Sequence, residues 1–131
     1  MEEEKLIKKI KLYINSYIDF QLVEYQVTFG NPVDMALDAY IQTTDIECYT
    51  SIPVDDYTEF NKNISKIIYS WKHRYKTKED ICDGREWSLS IFYTDNKRTY
   101  YTGDIEEPEN FEELVSYIST FCSKLLRGKN E

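Results

Sequence analysis

Trp87-Ser88-Leu89-Ser90-Ile91-Phe92-Tyr93 sets large apolar side chains at every second position, and Thr94-Asp95-Asn96-Lys97 follows it directly. A period of two is what a strand with one buried face requires, because successive side chains point to opposite sides of the sheet. Asp95-Asn96 reads as a two-residue turn, since both residue types tolerate positive φ. Lys97 to Gly103 is then the returning strand. Pairing Thr94 with Lys97 places Ile91 opposite Tyr100. On that register Tyr100 joins the core face, while Phe92 and Tyr101 point away from it.

Working outward, two segments carry the 3.6-residue period of helices. Tyr57, Phe60, Ile64, Ile67, Ile68, Trp71 and Tyr75 form one stripe, with Asp56 as its cap and Glu59 three residues on. Phe111, Leu114, Val115, Ile118, Phe121, Cys122 and Leu125 form the other. There Asn110 is the cap, Glu113 answers it, and Gly128 is the stop. The two starts share the order Pro, cap, aromatic, Glu, apolar, which common capping chemistry explains as well as duplication does.

Val23, Tyr25, Val27 and Phe29 alternate as a strand ended by Gly30-Asn31-Pro32, and Ile46, Cys48, Thr50 and Ile52 alternate as another. Asn31-Pro32-Val33-Asp34 has the form of a helix start, yet Ala39 to Thr43 can extend a strand, and both readings stand. Near the N-terminus Leu6, Ile7, Ile10, Ile14, Tyr17 and Ile18 favour a helix with Glu2 to Glu4 at its positive end. Ile10, Leu12 and Ile14 also fit a strand. The expected fold is one α+β domain over residues 1–131: an antiparallel sheet of about four strands with two to three helices packed on it.

The chain has 131 residues, 41% hydrophobic, too apolar for disorder despite a net charge of −8. No run approaches the roughly 18 apolar residues of a membrane span. Met1-Glu2-Glu3-Glu4 lacks the basic start of a signal peptide. Cys48, Cys82 and Cys122 are odd in number and far apart, as expected of reduced thiols in a cytoplasmic protein. Charge is uneven. Residues 21–50 hold five acids (Glu24, Asp34, Asp38, Asp45, Glu47) and no Lys or Arg. Residues 51–78 carry three acids against six bases, and residues 79–113 eleven acids against three bases. Such a surface repels nucleic acid at long range and suits basic proteins.

Catalytic signatures are missing from the sequence. His73, the single histidine, sits among Lys72, Arg74 and Lys76 with no motif that orients it towards a nucleophile. Four scattered glycines offer no phosphate-cradling loop. One histidine and isolated cysteines supply no transition-metal set. Asp104, Glu106, Glu107 and Glu109 are dense in carboxylate, but acids before a helix start are ordinary dipole chemistry. Lys72 to Lys78 with Trp71 and Tyr75 could hold single-stranded nucleic acid, were those rings not already on the apolar stripe. No catalytic residue, cofactor or metal ligand is expected.

Asp83-Gly84-Arg85-Glu86-Trp87-Ser88-Leu89-Ser90-Ile91-Phe92-Tyr93-Thr94-Asp95, continued by Gly103, Pro108, Asn110-Phe111 and Glu113-Leu114, carries a resemblance. It is similar to a C-terminal unit of small uncharacterised acidic proteins of Gram-positive bacteria and their mobile elements. The shared residues are structural: strand face, turn, cap and helix. In size, charge and lack of catalytic motifs the chain also resembles anti-CRISPR proteins and immunity proteins that neutralise a toxin. The resemblance implies a non-enzymatic inhibitor that masks a basic, nucleic-acid-binding surface of a larger protein, without binding nucleic acid or membrane itself. Phe92 and Tyr101 are the expected anchors, and Glu24, Asp45, Glu47, Asp104, Glu106 and Glu107 the expected carboxylates, in a monomer or homodimer.

Overall fold

A computed structural model of the chain describes residues 6–16, 22–76, 85–104 and 107–128. The elements in chain order are β1 (Ile7–Ser16), β2 (Leu22–Phe29), β3 (Ala36–Thr43), β4 (Glu47–Pro53), α1 (Val54–Ile68), β5 (Arg74–Lys76), β6 (Arg85–Tyr93), β7 (Arg98–Asp104) and α2 (Phe111–Gly128). The seven strands form one sheet in the order β4-β3-β2-β1-β6-β7-β5. Every pairing is antiparallel except β5 with β7. The α+β class stands, and the expected four strands become seven.

The strand count rises for three separate reasons. The N-terminal segment is not a helix: Ile10, Leu12 and Ile14 alternate as β1, each buried, with Lys9, Lys11 and Tyr13 on the other face. It lies at the centre of the sheet between β2 and β6, so pairing on both sides overrides a helical stripe that is only marginal alone. Residues 32–43 resolve as a turn and β3. Val33 and Ala36 bond each other across Asp34-Met35, with Asp34 at φ 59°, a conformation no helix start adopts. Finally, α1 ends at Ile68, and Tyr75 lies in β5 rather than on a continuation of the helix.

One face of this sheet makes the core. Val27 and Phe29, Leu37 to Ile41, Ile52, Trp87, Leu89 and Ile91 are buried at alternate positions. Phe29 meets Tyr57 and Phe60 of α1 at 4.8 and 5.4 Å, and Phe121 of α2 at 6.4 Å. Trp87 meets Phe111 of α2 at 4.9 Å. Both helices therefore cover the same face. The anticipated core of Trp87, Leu89, Ile91 and Tyr93 with Phe60, Ile64, Leu114 and Ile118 is present in one cluster.

The capping differs from expectation. α1 begins at Val54 after Pro53, with no side-chain cap; Asp56 lies within the first turn. Asn110 precedes α2, but its side chain serves α1: its Nδ2 donates to the Ile67 carbonyl (2.7 Å) and its Oδ1 accepts from Trp71 Nε1 (2.6 Å). Asn61, the one buried polar residue among those described, accepts from the Ile7 N–H at 2.7 Å and donates to the Tyr57 carbonyl. Tyr57 in turn donates its hydroxyl to the Ile7 carbonyl at 2.6 Å. Two side chains of α1 thus hold both backbone groups of Ile7, where β1 breaks step with β6 between Ile7 and Lys9.

Candidate functional site

The face on which no described helix packs is the candidate site. Following the registers across the sheet, Tyr49, Tyr40, Thr28, Lys9, Phe92 and Arg98 lie in one row from β4 to β7. Beside them run Glu47, Gln42, Gln26, Lys11, Ser90 and Tyr100. The face is polar and aromatic rather than aliphatic, and its charge is divided along the rows.

The β1–β6–β7 half is basic at the end near the β6–β7 turn, with Glu86 and Asp104 at the other end. The register shift in β1 leaves Lys8 out of step, and an extra residue in one strand re-aims its neighbours. Lys9 Nζ lies 5.6 Å from the centre of the Phe92 ring, and the Arg98 guanidinium 5.9 Å from it. Arg98 is also 5.6 Å from the centre of Tyr100, which is 43% exposed. A hollow of about 350 Å3 opens here, lined by Lys8, Lys9, Phe92, Asn96 and Lys97 among others.

The β2–β3–β4 half is acidic. Tyr40 and Tyr49 face each other across β3 and β4 with ring centres 4.6 Å apart, and Tyr49 is 69% exposed. Tyr40 donates its hydroxyl to Glu47 Oε2. That bond, followed by desolvation and the nearby negative charge, pushes the Tyr40 phenol up to about 12. The Glu24 N–H donates to Thr44 Oγ1 at 2.9 Å, which ties β2 to the β3–β4 turn carrying Asp45. Glu24, Asp45 and Glu47 are all exposed and share this corner.

Three of the expected site residues are thus brought together, and Phe92 is on the same face but in the basic half. Tyr101 is a correction. The turn spans three residues: the Tyr93 N–H bonds the Lys97 carbonyl at 2.9 Å, and Asn96 alone takes positive φ, 68°. This shifts the return strand by one residue, so Phe92 pairs with Arg98 and Leu89 with Tyr101. Tyr101 is therefore 7% exposed on the core face, 5.6 Å from Trp71 and stacked 5.1 Å from His73. Tyr100, expected inside, is outside. Asp104 ends β7 across the sheet from Glu24, while Glu107 follows in the link to α2 and is half-buried. Glu106 lies outside the described residues, as do Cys82, Asp83 and Gly84.

Tyr40, Tyr49, Lys9 and Arg98 were not singled out from sequence. Tyr40 alternates with Ala39 and Ile41, and Tyr49 with Cys48 and Thr50, so the period of two did mark them as outward once strands were assigned. Trp71 is buried and Tyr75 packs 5.9 Å from Trp87, so these rings are spent in the core rather than on a nucleic-acid platform. His73 is exposed, with Nδ1 3.1 Å from the Tyr100 carbonyl oxygen. Among the described residues no group of three His, Cys, Asp or Glu could hold a metal ion, and no helix is long and apolar enough to cross a membrane. No family model matches the chain, and searches of curated proteins and of solved structures found no match.

Proposed function

We propose that the chain is a non-enzymatic binding protein that covers a basic surface of a larger protein with the acidic, tyrosine-bearing half of its open sheet face. One observation carries this reading. Residues 21–61 contain no Lys or Arg, and their strands β2, β3 and β4 are contiguous, so Glu24, Asp38, Asp45 and Glu47 surround Tyr40 and Tyr49 without a neutralising cation from those strands. Rigid rings supply area to desolvate at low entropic cost, and the surrounding carboxylates steer the approach of a basic partner. Proteins that grip nucleic acid present such surfaces. A mobile-element inhibitor of a defence nuclease (anti-CRISPR type) and an immunity protein against a toxin nuclease both fit this chemistry. Phage genes beside the coding sequence favour the first, and a large toxin gene upstream favours the second.

The test is capture of a partner from the native host, followed by association kinetics of the purified pair. Raising salt from about 10 mM to about 150 mM shortens the Debye length from about 30 to about 8 Å and should slow association markedly. Glu47→Lys with Glu24→Lys should slow it further at low salt. An on-rate indifferent to both overturns the reading.

A second reading rests on the basic half. Lys8, Lys9, Lys97 and Phe92 around one hollow suit a small anionic ligand with an apolar part. Titration with inorganic pyrophosphate, watched through the amide signals of Lys8, Lys9 and Lys97, tests it; unmoved signals remove it.

A further inference from the structure

We infer that the outer edge of β4 is a docking edge for an extended, basic segment of the partner, which joins the sheet as an eighth strand. This rests on the proposed function for the sign of the partner's charge, and it adds the backbone chemistry of the contact. β4 is the terminal strand of the sheet, and no described strand pairs with its outer side. Two hydrogen bonds fix which of its backbone groups are free: the Thr43 N–H donates to the Ile46 carbonyl at 2.7 Å, and the Val54 N–H to the Met35 carbonyl at 2.8 Å. Both belong to the β3–β4 ladder, whose bonded pairs recur every second residue. Cys48, Thr50 and Ile52 therefore bond inward to β3. The N–H groups of Glu47, Tyr49 and Ser51 and the carbonyls of Glu47, Tyr49, Ser51 and Pro53 point outward. Pro53 agrees with this phase, since it lacks an N–H at an outward position, the one place on a sheet where proline costs no ladder bond.

An edge of this kind is a template for another chain unless it is blunted. Here Pro53 blunts one end, and no Lys lies anywhere along the strand. The charge around it selects the occupant. Glu47 and Asp45 are exposed at one end, Asp55 is exposed just past the other, and Asp38 lies opposite Ser51. A second copy fits badly, because antiparallel pairing of two β4 edges sets Glu47 of each against the Asp55-Asp56 end of the other. An incoming strand with Lys or Arg at alternate positions sets those cations along Glu47 and Asp38, with their aliphatic stems against Tyr49. Main-chain bonds then supply affinity and the alternating side chains specificity, as in strand addition generally.

The probe is a capped synthetic peptide alternating lysine and valine, as long as β4, titrated into the isotope-labelled protein. The amides of Glu47, Tyr49 and Ser51 should shift and gain exchange protection, while those of Cys48, Thr50 and Ile52 stay as they are. A peptide of identical charge, N-methylated on the edge that meets β4, should bind at least about tenfold more weakly, a loss of about 1.4 kcal/mol. Ser51→Pro removes an outward donor only, so it should keep the melting temperature and lose binding by a similar factor. If both controls bind as well as the originals while Asp38→Lys with Glu47→Lys abolishes binding, the partner docks by the sheet face; the edge inference is then overturned and the proposed function stands. Binding indifferent to charge reversal overturns both. No amide shift at any soluble peptide concentration, or a dimer through β4 without peptide, overturns the edge inference.

Discussion

Ile7 has its N–H bonded to Asn61 and its carbonyl to Tyr57, and this arrangement predicts a graded loss of stability. Tyr57→Phe removes one bond to a carbonyl that can accept another and should cost about 0.5–1.5 kcal/mol. Asn61→Leu leaves the buried Ile7 N–H without a partner and should cost about 1–3 kcal/mol in urea unfolding. Equal losses would show that Asn61 does not bear the burial cost. Tyr40 makes a prediction about pH. Its folded value, about 12, lies above the ordinary 10.0, so the fold favours the neutral phenol. That contribution is whole below pH 10 and is lost as pH rises towards 12. Glu47→Gln removes the charge responsible and should bring the Tyr40 phenol back towards its ordinary range, read by phenolate absorbance against a Tyr40→Phe control. Burial likewise pushes the Cys122 thiol up to about 12, so Cys122 should resist thiol reagents until the protein unfolds, and half-buried Cys48 should react before it.

At the scale of elements, the β6–β7 hairpin decides which aromatic rings face water. Leu89→Ala or Ile91→Ala removes a fully buried side chain from the middle of the sheet and should cost about 2–5 kcal/mol by urea melt. The one-residue shift at Asn96 separates two neighbours further along. Tyr101→Ser opens a hole beside Trp71 and His73 and should lower the melting temperature steeply, whereas Phe92→Ser acts on the open face and should lower it far less. A reversed order would mean the strands pair in the two-residue register instead. α1 and α2 are joined chiefly by rings, with Phe60 4.4 Å from Phe121 and 5.8 Å from Tyr117. The Asn110 link from Ile67 to Trp71 sets where α1 stops, so Asn110→Ala should redshift tryptophan emission as the turn at 69–73 loosens.

For the whole molecule, the controlling asymmetry is that both described helices lie on one side of the seven described strands. A face of that breadth on which no described helix packs would be an aggregation liability if aliphatic, and here Ser, Thr, Gln, Lys and Tyr occupy it. Charge is polarised along the same face, from Glu47 on β4 to Lys9, Lys11 and Arg98 on β1 and β7. A charged molecule approaching this face therefore meets an orientation-dependent field even though the molecule as a whole is at −8.

Trp87, Leu89, Ile91 and Tyr93, the strands at 23–29 and 46–52, and both helical stripes were legible in the sequence, because period two and period 3.6 are local properties of a chain with one buried face. The α+β class followed from their order. The strand at Ile7–Ser16 was not decided locally, since Ile10 and Ile14 satisfy both periods, and only pairing on two sides with β2 and β6 selects the strand. Asn110 looked like a cap by sequence because capping is a short-range rule. Its carboxamide also reaches Ile67, 43 residues away, which no local pattern encodes. Tyr100 and Tyr101 exchanged faces through one extra turn residue, a register no alternation within a single strand can report. The open face was decided last of all: which acids stand together depends on β2, β3 and β4 lying side by side, and that is a property of strand order in space.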